Sequence, residues 1–559
     1  MESCELCGQT RSPEDSSAVR CSGPCGGTVH ARCATFSGGI TLTTSDGLFW
    51  FCDRCRRGLR PVGNTTQQPD LPELPTEIWI EVFRNLPDGR LPKVRLVCRR
   101  WRDIVDDCPA LLAKITVAFC SRTAYQKVNP DRLLPVTKAS FISIKRIGSW
   151  WHSFGPGLTE IKIEHFEMER FHLIELSDLL GMLRHTPNLR RFALIGCILN
   201  GKRSGRPDFR LNKLETLILE DILDLAKYLK VFRKLFSKSP VKALKITWSD
   251  SAGYTAAAES DEMTEMVADF QTTLDVLTVN CSDIFLSQMM SLDQIELKKL
   301  TLIEEGVVDN SLLMDLFECH RSLEYVDISD MMAFNEENAP MLIKIGQLLP
   351  KLQFLSIFAT HVDISFLSKT PKLQTFKLYG VERGVKLIQS SWFHEKHQNL
   401  KQLDLSFIEI PATFAQQWFA TLPNLRILSL TSCKIGCWSD FLAALQSLEL
   451  LEMLSLDMIE AVETGPSPSP NKPLTRLRYL KCSTFNEISD DAFGALLEVC
   501  SSLRELKLVC VLLGEAVLSA ICRNLPQLRK LTMVTCAKSN VMKSYIRQHC
   551  RSLEELKLE

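Results

Sequence analysis

Residues 422–433, LPNLRILSLTSC, place leucines at 425, 428 and 430 with other residues between them. Alternation at a period of two sets Leu428 and Leu430 on one face of an extended strand and leaves the intervening side chains on the other. The same Leu-x-x-Leu-x-Leu pattern, or a near variant, starts at Leu158, Leu189, Leu214, Val241, Leu274, Leu297, Leu323, Leu352, Leu373, Leu400, Leu425, Leu451, Leu477, Leu503, Leu528 and Leu553. From Leu400 onward the starts lie 25 or 26 residues apart, and before it the spacing runs from 21 to 33. A period in the twenties, with a short strand followed by a helical stretch such as DDAFGALLEVCSSL, describes units that bury their leucines only against neighbours and must stack. In the less regular half, GKRSGRPDFR (201–210) and WSDSAGYTAAAESDEMT (248–264) are expected as surface insertions.

This repetition resembles the leucine-rich repeats. Cys197, Cys433 and Cys536 stand eight after a first leucine and Cys500 and Cys550 three before one, as in the cysteine-containing class of that family. The resemblance implies an α/β leucine-rich repeat solenoid, a horseshoe, over residues 158–559. Residues 113–157, with Trp150 and Trp151, fit the pattern poorly and are expected to form an irregular first repeat or cap. Residues between the leucines would line a concave face of roughly 70 Å at about 4.8 Å per strand, ample for a folded partner. Lys481, Lys507 and Lys557 share one place on that face, interrupted by Thr532. They are the candidate substrate-binding residues for an acidic or phosphorylated protein, against a solvated face balanced by Glu505 and Glu555. TGPSPSPNKP, 464–473, replaces one repeat's helix and reads as an extended spacer.

Composition narrows the classes of function. Lys+Arg and Asp+Glu number 66 each, so no global field draws the chain to nucleic acid or to an anionic membrane. No apolar run approaches the roughly 18 residues of a membrane span. MESCELC shows no basic region followed by an apolar stretch, so no secretory leader is expected and the chain reads as intracellular, in nucleus or cytoplasm. Disulfides are therefore not expected despite 21 cysteines.

Seven of those cysteines fall within the first 55 residues. With one histidine they run Cys4, Cys7, Cys21, Cys25, His30, Cys33, Cys52, Cys55. Eight soft ligands in closely spaced pairs satisfy two tetrahedral zinc ions and leave no open catalytic position. The order of four cysteines, histidine and three cysteines, with Trp50 two before the seventh ligand, resembles the PHD finger. That likeness implies a cross-braced, zinc-stabilised domain over 1–58. Cys4, Cys7, His30 and Cys33 would share one ion and Cys21, Cys25, Cys52 and Cys55 the other, with Trp50 filling the small core. A RING finger would carry histidine fourth, where Cys25 stands. A histone tail is the partner implied by many PHD fingers, but the stretch between Cys7 and Cys21 offers no aromatic cage for methyl-lysine. Glu14 and Asp15 would suit an unmodified lysine or N-terminal amine, or form only a solvated loop.

A polar linker, 59–70, leads into a different pattern over 71–112. Ile78, Val82, Phe83 and Leu86 mark one helical stripe, opened by Pro75 and closed by Pro87-Asp88-Gly89. Val94, Val97, Trp101 and Ile104 mark a second. This is more apolar surface than some forty residues can bury, which implies a partner groove. Leu74, Pro75, Glu77, Ile78, Phe83, Leu86, Leu91, Val97, Cys98 and Trp101 stand where the F-box pattern has Leu-Pro, Glu-Ile, Phe, Leu and Val-Cys-x-x-Trp, so the segment resembles an all-α F-box. The resemblance implies docking on a Skp-family adaptor through Leu74, Pro75, Ile78, Phe83, Leu86, Leu91, Val97, Cys98 and Trp101.

Finger, F-box and repeat array in this order look like the substrate receptor of a Skp-cullin-F-box ubiquitin ligase. Such a receptor does no chemistry and raises the effective concentration of its substrate near a conjugating enzyme. No Gly-rich phosphate loop, zinc-protease helix or nucleophile motif stands in the sequence, so no catalytic residue and no enzyme activity are expected. The alternative is a chromatin-associated scaffold whose finger binds a histone tail.

Overall fold

The structure, a computed structural model, describes residues 18–20, 28–30, 42–44 and 47–49 and most of 74–558, apart from short segments of which 120–133, 248–255 and 464–472 are the longest. The chain divides into two compact units, one of Met1–Phe141 with Arg146–Ile161, the other of Ile142–Lys145 with Lys162–Glu559. Among the described residues no helix is long and apolar enough to cross a membrane.

The first unit opens with two antiparallel ribbons, Ala18–Arg20 against Thr28–His30 and Leu42–Thr44 against Gly47–Phe49. Among the described residues short helices follow, α1 (Thr76–Arg84), α2 (Leu91–Val94), α3 (Arg99–Asp106) and α4 (Pro109–Leu112). Pro75, its φ already near the helical value, precedes the first turn of α1, and Asn85 ends the helix by donating its side-chain amide to the Glu81 carbonyl at 2.8 Å. Phe83, Leu91, Val94, Ile104, Val105, Leu111, Leu112, Ile115 and Val136 pack into one core. The second stripe expected as one helix is in fact two. Cys98 is fully extended (φ −155°, ψ 167°) and caps α3 by accepting the Trp101 amide on its sulfur, so Val97 and Cys98 belong to the link between α2 and α3.

Beyond α4, Thr116–Phe119 pairs in parallel with Lys138–Phe141. The Thr137 carbonyl then accepts the amides of both Thr159 and Glu160, at 2.8 and 3.0 Å. The same carbonyl with two donors opens each long strand of the second unit but the last; Lys401, for example, accepts from Arg426 and Ile427. Residues 113–157, expected as an irregular first repeat or cap, thus share this backbone arrangement with the repeats at Thr137. Their interior is aromatic: Phe119 stacks on Phe141 at 4.8 Å, and Trp150, Trp151 and Phe154 close around the pair.

The second unit is a solenoid-like parallel sheet. Its strands are β1 (Arg191–Ile195), β2 (Thr216–Glu220), β3 (Ala243–Ile246), β4 (Val276–Cys281), β5 (Lys299–Glu304), β6 (Tyr325–Ile328), β7 (Phe354–Phe358) and β8 (Thr375–Tyr379). They continue as β9 (Gln402–Ser406), β10 (Ile427–Thr431), β11 (Met453–Asp457), β12 (Tyr479–Ser483), β13 (Glu505–Val509), β14 (Lys530–Val534) and β15 (Glu555–Leu558). Each pairs with the next without a slip in register, so Leu403, Leu428, Leu454, Leu480, Leu506, Leu531 and Leu556 form one column and Leu405, Leu430, Leu456, Cys482, Leu508, Met533 and Leu558 another. Up to Met533 both columns are fully buried. A slip of one residue would turn every leucine outward, which is why the register holds.

At the end of several strands the backbone turns through the left-handed region, at Gly196, Asp221, Phe407, Ser432 and Met458, with φ between 50° and 66°. At four of these turns the turn residue's own amide still reaches the next repeat: Gly196 donates to the carbonyl of Glu220, Phe407 to that of Thr431, Ser432 to that of Asp457 and Met458 to that of Ser483. Short parallel strands of a second row follow, such as Glu409–Ile410, Lys434–Cys437 and Glu460–Glu463. Helices complete most units, and at Gly346 the helix Met341–Leu348 approaches Lys369 so closely that a Cβ would lie 2.8 Å from the lysine's own.

Two expectations are corrected here. Residues 256–264, read as part of a surface insertion, begin the helix Ala256–Phe270, which buries Met263, Met266, Val267 and Phe270 at the i, i+3, i+4, i+7 spacing of a core-facing stripe. Cysteine pairing was not expected, yet Cys522 in the helix Glu515–Asn524 is bonded to Cys550, Cα to Cα 4.8 Å. The helix and the turn before β15 bring the two side chains together. Cys319 is exposed and Cys437 half-buried, but Cys197, Cys281, Cys433, Cys482 and Cys500 are sealed: burial pushes the thiols of Cys197 and Cys500 up to about 12 and that of Cys433 to about 11.

Candidate protein-docking surfaces

In the helical module a ring cluster fixes α1 against α3. Trp101 lies 4.8 Å from Trp79 and 5.3 Å from Phe83, edge to face with the latter. Arg95 forks onto Asp106, joining the end of α2 to the end of α3. Arg100 donates to the Leu74 carbonyl at 2.9 Å, and Lys114 reaches the carbonyls of Arg84 and Leu86. So braced, the module leaves five large apolar side chains in water: Leu74 (40% exposed), Ile78 (47%), Val82 (43%), Leu96 (42%) and Val97 (62%). Ile78 and Val82 are one helical turn apart on α1, and Leu96 and Val97 occupy the link before α3.

The residues expected to dock an adaptor therefore separate. Leu74, Pro75, Ile78, Val97 and Cys98 are exposed, whereas Phe83 and Leu91 are interior and Leu86 and Trp101 pack partly against the core. A side chain that is 0–1% exposed, as Leu91 and Phe83 are, shapes a surface from beneath and does not present one. Val82 and Leu96 were absent from the expected set. Their signal was in the sequence: Val82 stands in the first apolar stripe one turn from Ile78, and Leu96 is an apolar residue beside the second stripe.

On the array, the expected lysine column is in register: Lys481 pairs with Lys507, Lys507 with Thr532 and Thr532 with Lys557. Lys481 is 3.4 Å from Asp457 and Lys557 is 3.2 Å from Glu555. Glu505 instead engages Lys530 at 2.7 Å, and that hydrogen bond holds the Lys530 ammonium above its usual range. Lys507 makes no ion pair among the described residues. Further up the same face, Tyr325 and Phe354 stack at 3.9 Å with Lys299 and Lys377 each 5.8 Å from a ring centre. Burial, then the neighbouring Asp327, pushes the Tyr325 hydroxyl up to about 12. The eight expected zinc ligands lie outside the described residues, except that the His30 backbone ends a ribbon strand. Cys536 and the segment 464–472 also lie outside them.

Comparison with known proteins gives the module its class. Residues 71–117 match the family model described as F-box-like. No curated protein sequence matches the chain. Among solved structures, the crystal structure of a TLR13–ssRNA13 complex is similar at 16% identity and a TM-score of 0.42, over 81% of this chain and 69% of that one. The crystal structure of the mouse RP105/MD-1 complex is similar at 14% identity and a TM-score of 0.39, over 80% of each chain.

Proposed function

We propose that this protein is the substrate-recognition subunit of a Skp-cullin-F-box ubiquitin ligase, and that it performs no chemistry itself. One observation carries the reading: a module that matches the F-box-like model leaves Leu74, Ile78, Val82, Leu96 and Val97 uncovered beside its own well-packed core. Apolar side chains held in water on a braced scaffold gain free energy only when a second polypeptide covers them, at about 25 cal/mol per Å². A Skp-family adaptor with its cullin is the partner in this reading, and the open face of the repeat sheet takes the protein substrate. The spacing of Cys4 through Cys55 supports two structural zinc ions in the N-terminal segment as an additional contact module.

The test is capture of adaptor and cullin by the full chain beside Ile78→Asp/Val97→Asp. These positions are exposed, so the substitution leaves the module's core in place. Recovery of both partners by the parent and of neither by the variant is expected. Recovery of neither by the parent removes the proposal.

A further inference from the structure

Packing weakens in the last unit of the array. Leu528, Leu531 and Met533 are all at 0% exposure, but their counterparts one unit on, Leu553, Leu556 and Leu558, are only half-buried. From Val534 to Leu558, Ile546 and Cys550 are the buried members among the described residues. Hydrophobic stabilisation scales with the apolar area taken from water, so this unit gains less from packing than the units before it.

A covalent bond makes up part of the difference. Cys522 lies in the helix Glu515–Asn524 of one unit, and its partner Cys550 directly follows the helix Asn540–His549 of the next. Cys550 stands three before the first leucine of its unit, the place that Leu422, Leu448, Leu474 and Leu525 fill in others, all of them buried. The bond therefore staples the weakest unit to its better-packed neighbour through a core position, across 28 residues of chain. A cross-link of this kind narrows the opened ensemble and favours the docked state.

The two bonded residues differ in access. Cys550 is 7% exposed, whereas Cys522 is half-buried and reachable from water. Disulfides sealed on both sides resist dissolved thiols, and those open at one sulfur exchange with them. We propose that Cys522 and Cys550 form a reversible redox site, opened at Cys522 by small thiols of the glutathione class, whose state sets how firmly the last repeat is docked. A dissolved thiolate attacks the Cys522 sulfur, a mixed disulfide forms there, and the electron pair leaves on Cys550, which takes a proton from water. A second thiolate attacks the outer sulfur of the mixed disulfide and frees Cys522, which is protonated in turn. Two small thiols are oxidised to one small disulfide, and the protein's disulfide is reduced to two thiols. The reverse sequence, with the small disulfide as oxidant, closes the staple. This site lies in the second unit and is independent of the receptor reading.

The test equilibrates the full chain in glutathione buffers of graded thiol-to-disulfide ratio. Mass spectrometry counts the bonded pair, and amide hydrogen exchange is followed along the array. The pair should pass from bonded to free within the series, and exchange over residues 542–558 should then rise by at least about tenfold while β9 to β12 stay unchanged. Acid quenching during reduction should find glutathione on Cys522. Cys522→Ser leaves the packing of Cys550 in place and should exchange fast over 542–558 in every buffer. A pair that stays bonded or stays free across the whole series, a first adduct on Cys550, or equal exchange in the two states overturns the proposal. Exchange in Cys522→Ser that still follows the buffer overturns it as well.

Discussion

Arg95 grips Asp106 with two parallel hydrogen bonds, Nε to Oδ1 at 2.6 Å and Nη2 to Oδ2 at 2.9 Å, across eleven residues that include the whole link between α2 and α3. Both side chains are more than two-thirds covered, at 21% and 30% exposure, so the pair is screened less than a surface bridge. It sets the position of Leu96 and Val97. Arg95→Ala should destabilise the helical module by about 1–2 kcal/mol and weaken adaptor capture several-fold, with Arg95→Lys intermediate because an ammonium cannot fork. Adaptor titration against each variant checks this; equal affinities would show that the link holds its place unaided.

Exposed and buried members of the module should fail differently. Val97→Asp is expected to abolish adaptor capture with the melting midpoint unchanged, since Val97 is 62% exposed. Phe83→Ala, at 1% exposure and in ring contact with Trp79 and Trp101, should cost about 3–5 kcal/mol and lose capture through unfolding. Circular dichroism melts beside the capture assay separate the two routes.

Met458 holds a positive φ of 50° while its side chain is 48% exposed. The left-handed region is unfavourable for a long side chain and tolerated by asparagine. Met458→Asn should therefore stabilise the array by up to about 1 kcal/mol. A denaturant midpoint below the parent's would mean that methionine packing outweighs the backbone term.

His320 is 3% exposed, and burial lowers its pKa below the ordinary 6.5. The unfolded chain therefore binds a proton that the folded chain refuses between the lowered pKa and 6.5. The His320 contribution is complete above that window and is lost as pH falls through it. Stability measured from pH 7.5 to 5 should decline in the parent and decline less in His320→Gln. Parallel curves would assign the acid sensitivity elsewhere.

The cysteine and histidine spacing of the first 55 residues predicts two zinc ions per chain, measured by elemental analysis of the purified protein. A chelator should remove them without moving the array's melting transition. A metal content near zero in protein prepared without chelator would rule the expectation out.

The array was legible because a leucine every 25 or 26 residues leaves one way to keep both leucine columns inside. The helical module was legible as a class but not in its joints. Cys98 breaks what the apolar period presents as a continuous helix, since a period counts residues and does not see an extended cap. The helix Ala256–Phe270 was hidden by an alanine-rich, acidic start, although Met263, Met266, Val267 and Phe270 carry its stripe in plain view.

Cys98 is, with Cys319, one of two exposed free cysteines among the described residues, and it alone stands in the link that carries Val97, whereas Cys197, Cys433, Cys482 and Cys500 are sealed inside the repeats. The docking face thus carries its own reporter. A maleimide dye placed there would brighten or fade as a partner arrives, so occupancy of this face becomes something to watch in real time. An electrophile of suitable shape would, by the same access, cork it.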